Sequence, residues 1–204
     1  MSSFPSFTSL PLPFSELPPP PNLILASGPN PNLPLLQSLT PPTLALTHTD
    51  SNGFTPLLSA VQYNRHNIID YLVTLATAQF NSNSNSNPDY INTHKDADGD
   101  GVLFHVETLS TAQLLVSKGA RVSGMLGGDD LDVVDFMEND LKESGALCFG
   151  ANGEPMDIAA AGQEEDDEFE EERKIVKFFR EVRTKERSAT TTATATATAT
   201  ATSN

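Results

Sequence analysis

The stretch DSNGFTPLLSAVQYNRHNIIDYLVTLA, starting at Asp50, holds a turn followed by two helical patterns, and the same plan recurs twice further along the chain. Asn52-Gly53 marks a tight turn, because both residue types tolerate the left-handed backbone that such turns need. Thr55 suits a helix N-cap and Pro56 the first helical position, where a missing N–H is no loss. Leu57, Ala60 and Val61 fall on one face of a short helix, and Ile68, Ile69, Leu72, Val73 and Leu75 predict a second. The second copy has its turn at Asp98-Gly99, apolar Leu103 and Val106, then Ala112, Leu114 and Leu115, with Gly119 placed for a left-handed C-cap. The third has Asn152-Gly153, then Pro155, Met156, Ile158 and Ala159, and a closing helix with Ile175, Val176, Phe178, Phe179 and Val182. A unit this small cannot bury its apolar face alone, so the recurrence predicts an all-α array whose neighbours stack on one another.

The first unit resembles the ankyrin-repeat family. Asp50, Gly53, Thr55, Pro56, Leu57 and Ala60 match its D-x-x-G-x-T-P-L-x-x-A pattern, and Ile68, Ile69, Tyr71 and Leu72 match its second helix. LLVSKGARV, from Leu114, is similar to the closing helix and Gly-Ala of such a repeat, and NLILASGPNPNLPLLQSL, from Asn22, to a degenerate first repeat serving as a cap. The clipped second unit also resembles one in small ankyrin proteins of fungi. Leu57 to Leu103 spans 46 positions and Leu103 to Met156 spans 53, against a family period of about 33. The excess reads as loops. Leu103 to Thr111 is only 8 positions, so the first helix of the second unit is clipped. The resemblance thus implies a half-repeat cap over 23–49, a repeat over 50–80, an Asn/Ser loop over 81–88, a short repeat over 89–123, an insertion over 124–149, and a repeat over 150–187 with an acidic inter-helix loop at 164–172.

Hydrophobic residues make up 38% of the chain and aromatics 7%, lean enough to predict unstructured portions. The Pro/Ser-rich residues 1–22 and the Thr/Ala-rich tail 188–204 are the natural places for disorder, since neither offers side chains for a core. The net charge of −15 disfavours nucleic acid and anionic membranes, and it points to a basic protein as the partner of a monomer. No apolar run approaches the roughly 20 residues of a membrane span, and the N-terminus lacks the basic stretch of a secretory signal. Cys148, the sole cysteine, has no internal disulfide partner and reads as a small semi-buried hydrophobe, which favours a reducing compartment. Cytoplasm, nucleus or both are expected.

No catalytic constellation stands out, so the chain is read as non-enzymatic and without a cofactor. His48, His66, His94 and His105 lack zinc spacing. Gly124, Gly127 and Gly128 do not follow a strand, and Asp129 and Asp130 would repel a phosphate. DADGDGVLFHVE, Asp96 to Glu107, does match a calcium loop by spacing, with Asp96, Asp98, Asp100, Gly101 and Glu107 in register. It lacks a helical segment before it and a second copy beside it, so the turn of a repeat is the preferred reading and a calcium-responsive regulator the alternative. Leu131, Val134, Met137 and Leu141 predict an amphipathic helix over 129–141, and the basic residues of ERKIVKFFREVRTKER are expected on the solvent face of the last helix. The resemblance implies a protein–protein interaction module, an adaptor or an escort chaperone for a basic protein. Its exposed contact positions would be Ser51, Phe54, Gln62 and Tyr63, with Ala97, Asp100 and His105 as counterparts in the second unit.

Overall fold

The computed structural model describes residues 22–81, 89–124, 126–145, 148–149, 155–156 and 169–201. It is mostly helical, in agreement with the predicted all-α class. In chain order the helices are α1 (Leu23–Ser27), α2 (Leu33–Ser38), α3 (Leu44–Thr47), α4 (Pro56–Gln62), α5 (His66–Asn81), α6 (Tyr90–Thr93), a 3₁₀ helix (Val102–His105), α7 (Leu109–Ser117), α8 (Val133–Glu143) and α9 (Glu170–Ala201). One small antiparallel ribbon joins β1 (Cys148–Phe149) to β2 (Pro155–Met156), with Cys148 opposite Met156 and Phe149 opposite Pro155.

The helices begin where short polar side chains can satisfy orphan N–H groups. Leu25 N donates to Asn22 Oδ1, Leu35 N to Asn32 Oδ1, Leu58 N to Thr55 Oγ1 and Thr111 N to Thr108 Oγ1, at 3.0–3.3 Å. Asp132 caps α8 twice over, its Oδ1 accepting from Val134 N and Asp135 N. The α7 terminus is a Schellman motif: Ala120 N donates to Leu115 O and Gly119 N to Val116 O, with Gly119 at φ +99°. Asn64, at φ +54°, closes α4 and turns the chain into α5.

The main core runs along the stack, with a small second cluster around Leu141 and Val176 beside it. The inner helices follow one another in space as α1, α4, the 3₁₀ helix and α8, while α5 packs on α4, α7 on α9, and α9 on α8. Leu57, Ala60, Val61, Ile68, Ile69 and Leu72 are completely buried, as are Ala112, Leu115, Ile175 and Phe179. Each large apolar side chain so buried contributes about 1.5–3 kcal/mol. Leu103 and Val106 of the clipped unit also face inward. The polar joint between α5 and α7 is equally specific: Asn64 Oδ1 accepts from Thr108 Oγ1 (2.8 Å) and Thr111 Oγ1 (2.7 Å), and His66 Nε2 lies 2.9 Å from Thr111 Oγ1.

Four expectations change. The segment 124–149, expected as an insertion, has the amphipathic helix expected over 129–141 as α8, but a turn at Gly127–Leu131 precedes it and α8 packs on the 3₁₀ helix as that helix packs on α4. Pro155–Met156, expected to open a helix, is a strand of a two-stranded ribbon, where each strand is an edge and proline's lack of an N–H is tolerated. The Asn152-Gly153 turn, Ile158 and Ala159 lie outside the described residues. Of the acidic loop, Glu170, Glu171 and Glu172 form the first turn of α9, where carboxylates oppose the positive end of the helix dipole; residues 164–168 lie outside the described residues. The tail expected to be disordered continues α9 as helix to Ala201. Once Ile175–Val182 nucleate a packed helix, each added residue needs only propagation, which the alternating alanines favour and the threonines between them favour less. The disorder expected for 1–22 and the loop expected for 81–88 fall outside the described residues, except for Asn22, which caps α1, and Asn81, which ends α5.

Candidate protein-binding surface

Three turns, at Asp50–Phe54, Asp96–Asp100 and Gly127–Leu131, share one geometry. In each, the first residue's N–H donates to the fifth residue's carbonyl: Asp50 to Phe54 and Asp96 to Asp100 at 3.1 Å, Gly127 to Leu131 at 2.9 Å. In each, the fourth residue's N–H returns to the first residue's carbonyl at 3.2 Å. That fourth residue is left-handed every time: Gly53 at φ +75°, Gly99 at +92° and Asp130 at +58°. In the first two turns an aspartate locks the loop from inside. Asp50 Oδ1 accepts from Asn52 N and Phe54 N, and Asp96 Oδ1 accepts from Asp98 N and Asp100 N, all at 2.9 Å. The residue after each turn, Thr55, Gly101 or Asp132, is the N-cap of the inner helix that follows.

The tips abut. Ala97 N donates to Asn52 O at 2.9 Å, joining the first two turns. Gly128 N donates to Asp100 Oδ1 at 2.9 Å and Lys95 Nζ to Leu126 O at 2.8 Å, joining the second and third. The approach is close enough to demand glycine: a Cβ on Gly53 would stand 2.7 Å from Ala97 N, and one on Gly128 would overlap the carbonyl oxygen of Asp98. The result is one continuous edge on which Ser51, Ala97, Asp98, Asp129 and Asp130 are exposed.

The residues expected to form a binding surface divide into two sets. Ser51 and Ala97 are exposed on adjacent tips. Phe54 is half-buried and packs edge-on against His105, with ring centroids 5.1 Å apart. His105 Nε2 sits 3.2 Å from Asp96 Oδ2, within ion-pair distance but out of hydrogen-bond alignment. Asp100 is half-buried, and its carboxylate is engaged with Gly128. Those three therefore brace the edge. Gln62 and Tyr63 lie at the far end of α4, half-buried and exposed respectively, beside the close approach of Gly28 to Ser59 and Tyr63. Asp129 and Asp130 are the third-turn counterparts that sequence reasoning missed. A signal for them exists in the 31-position interval from Asp96 to Gly127, which is nearer the family period than the 53 positions from Leu103 to Met156.

The calcium-like carboxylates serve separate partners. Asp96 holds its own turn and Asp100 holds Gly128, while Glu107 Oε2 receives Asn64 Nδ2 at 3.5 Å on another side of the unit. Among the described residues no group of three or more His, Cys, Asp or Glu side chains is placed to hold a metal ion. No described helix is long and apolar enough to cross a membrane.

The last inner helix is clamped by charge. Arg183 Nη1 donates to Asp132 Oδ1 (2.9 Å), Asp132 Oδ2 (3.0 Å) and Asp135 Oδ1 (2.8 Å), and Arg180 Nε donates to Glu138 Oε1 (2.6 Å). Burial works against the Arg183 charge, but hydrogen bonds to Asp135 and Asp132 outweigh it and raise its pKa above the ordinary value. These arginines were expected on the solvent face; a row of aspartates and a glutamate on α8 turns them inward instead. Midway along α9, Glu186 also satisfies backbone by accepting from Val122 N and Ser123 N, and Glu171 near its start accepts from Leu109 N.

No family model, curated protein or solved structure matches the chain.

Proposed function

We propose that this protein is a non-enzymatic, ankyrin-type repeat module that binds a basic protein, acting as its adaptor or escort in the cytoplasm or nucleus. The observation that carries the reading is the row of three like turns, joined tip to tip and each followed by a capped inner helix. Such a row offers a rigid, extended edge, as binding by preformed surfaces requires. Its exposed carboxylates, Asp98, Asp129 and Asp130, sit on a chain of net charge −15, and favour a partner of opposite sign. The test is capture of partners from native extract by the full chain, followed by affinity measurement of the purified pair across a salt series. A basic partner whose affinity falls about tenfold or more between 0.05 and 0.5 M salt is expected, since exposed charges are screened over that range. A complex insensitive to salt would sink the electrostatic reading.

A further inference from the structure

The clipped second unit leaves a notch in the row of inner helices. Its 3₁₀ helix has four residues, whereas α8 beside it has eleven. The second half of α8 therefore has no full inner helix alongside it, and a cavity of about 190 Å³ opens there. Phe104, Phe136 and Met137 line its apolar part, and the two rings meet edge to face with centroids 5.3 Å apart. Glu107, Asp140 and Glu172 line its polar part. Glu107 and Asp140 are exposed, and they stand apart from Asp132, Asp135 and Glu138, which the arginines of α9 neutralise.

We infer that this notch is the anchor pocket for one arginine side chain of the basic partner. The inference rests on the functional reading above and adds the site and the chemistry of the key contact. The space suits a single long side chain. An aliphatic stem would lie on Met137 and the phenyl rings, as amphipathic side chains do. The guanidinium would then reach the rim carboxylates in fork geometry while stacking on an aromatic face, a combination that selects arginine over lysine.

The test uses the full chain and two capped tripeptides, acetyl-Ala-Arg-Ala-amide and its citrulline twin, which keeps the shape without the charge. Titrations are followed by NMR at the Met137 methyl and the Phe104 and Phe136 rings. The arginine peptide should shift these signals with at least tenfold higher affinity than the citrulline peptide. The double variant Glu107→Gln/Asp140→Asn should lose at least tenfold in affinity. The variant Asp70→Asn/Glu181→Gln, which removes the same charge at exposed positions outside both the notch and the tips, should change it less than twofold. Thermal melts of both variants establish that each is folded. Equal losses in the two variants, or shifts centred away from the notch, would overturn the pocket while leaving a basic partner bound elsewhere on the array. Equal affinity for arginine and citrulline peptides would overturn the pocket, whereas the electrostatic reading stands or falls with the salt series of the purified complex.

Discussion

Replacing Gly128 with alanine tests the stacked edge at its tightest point. The Gly128 backbone needs no left-handed conformation, so the substitution is purely a question of space. A methyl group there would overlap the Asp98 carbonyl oxygen and stand 3.0 Å from its carbonyl carbon, and backbone atoms cannot rotate away. The third turn would have to withdraw from the second. Withdrawal stretches the bond from Gly128 N to the Asp100 carboxylate, now 2.9 Å. A hydrogen bond to a charged acceptor is worth about 1.5–3 kcal/mol, and overpacking adds about 1–3 kcal/mol. Because relaxation trades one against the other, a loss of about 2–4 kcal/mol is expected. With a urea slope of about 2 kcal/mol/M, the midpoint of equilibrium unfolding should fall by about 1–2 M. Gly124→Ala is the control: Gly124 is left-handed at φ +74° with nothing within 4 Å of the added methyl, so only about 1 kcal/mol of backbone strain is introduced. If Gly128→Ala lowers the midpoint no more than Gly124→Ala, the two tips do not abut and the third turn does not belong to the row.

Asp50→Ala and Asp96→Ala each remove a carboxylate oxygen that accepts from two backbone N–H groups, so each should cost about 2–3 kcal/mol in chemical denaturation, and Asp96→Ala at least as much as Asp50→Ala because Asp96 also faces His105; a clearly smaller loss at Asp96 would contradict the shared turn geometry. Arg183→Met should destabilise by about 2–4 kcal/mol, below the range for a fully buried pair, because Asp132 is only 7% exposed but Asp135 is 51% exposed. Adding Asp132→Asn, which keeps the cap, should recover part of that loss in a double-mutant cycle; no coupling would show that the arginine acts only through packing. Burial raises the Tyr90 phenol above its ordinary value of 10.0, so the unfolded chain ionises first and stability is lost as pH rises past 10.0 toward the folded value. Tyr90→Phe should flatten that alkaline decline by about 1.4 kcal/mol per pH unit, and an unchanged slope would mean that another group controls it.

Elements specified by near neighbours in the chain are legible in the sequence. The Thr55-Pro56 start of α4, the Gly119 stop of α7, and the buried faces of α4, α5 and α9 follow from capping chemistry and helical period. The third turn is not legible by pattern because its residue types are exchanged. Gly127 stands where the other turns have the bracing aspartate, and Asp130 takes the left-handed position that glycine occupies in them. The contact positions inferred from the family fare unevenly for a related reason. Ser51 and Ala97 are exposed because a tip points outward whatever packs below, whereas Phe54, Asp100 and His105 are drawn into contacts between units.

By itself, then, the sequence determined where α4 starts and α7 stops, which faces are apolar, and that the chain carries a large negative charge, because these depend on residue types and on neighbours within a few positions of one another. Only the tertiary structure decided that residues 127–143 form the third turn and inner helix, that the arginines of α9 serve the acids of α8, and that a shortened inner helix leaves a notch beside Phe104 and Met137. Those outcomes depend on stacking between segments well separated in the chain. There, a turn's backbone geometry and its distance from the preceding tip matter more than the names of the residues that form it.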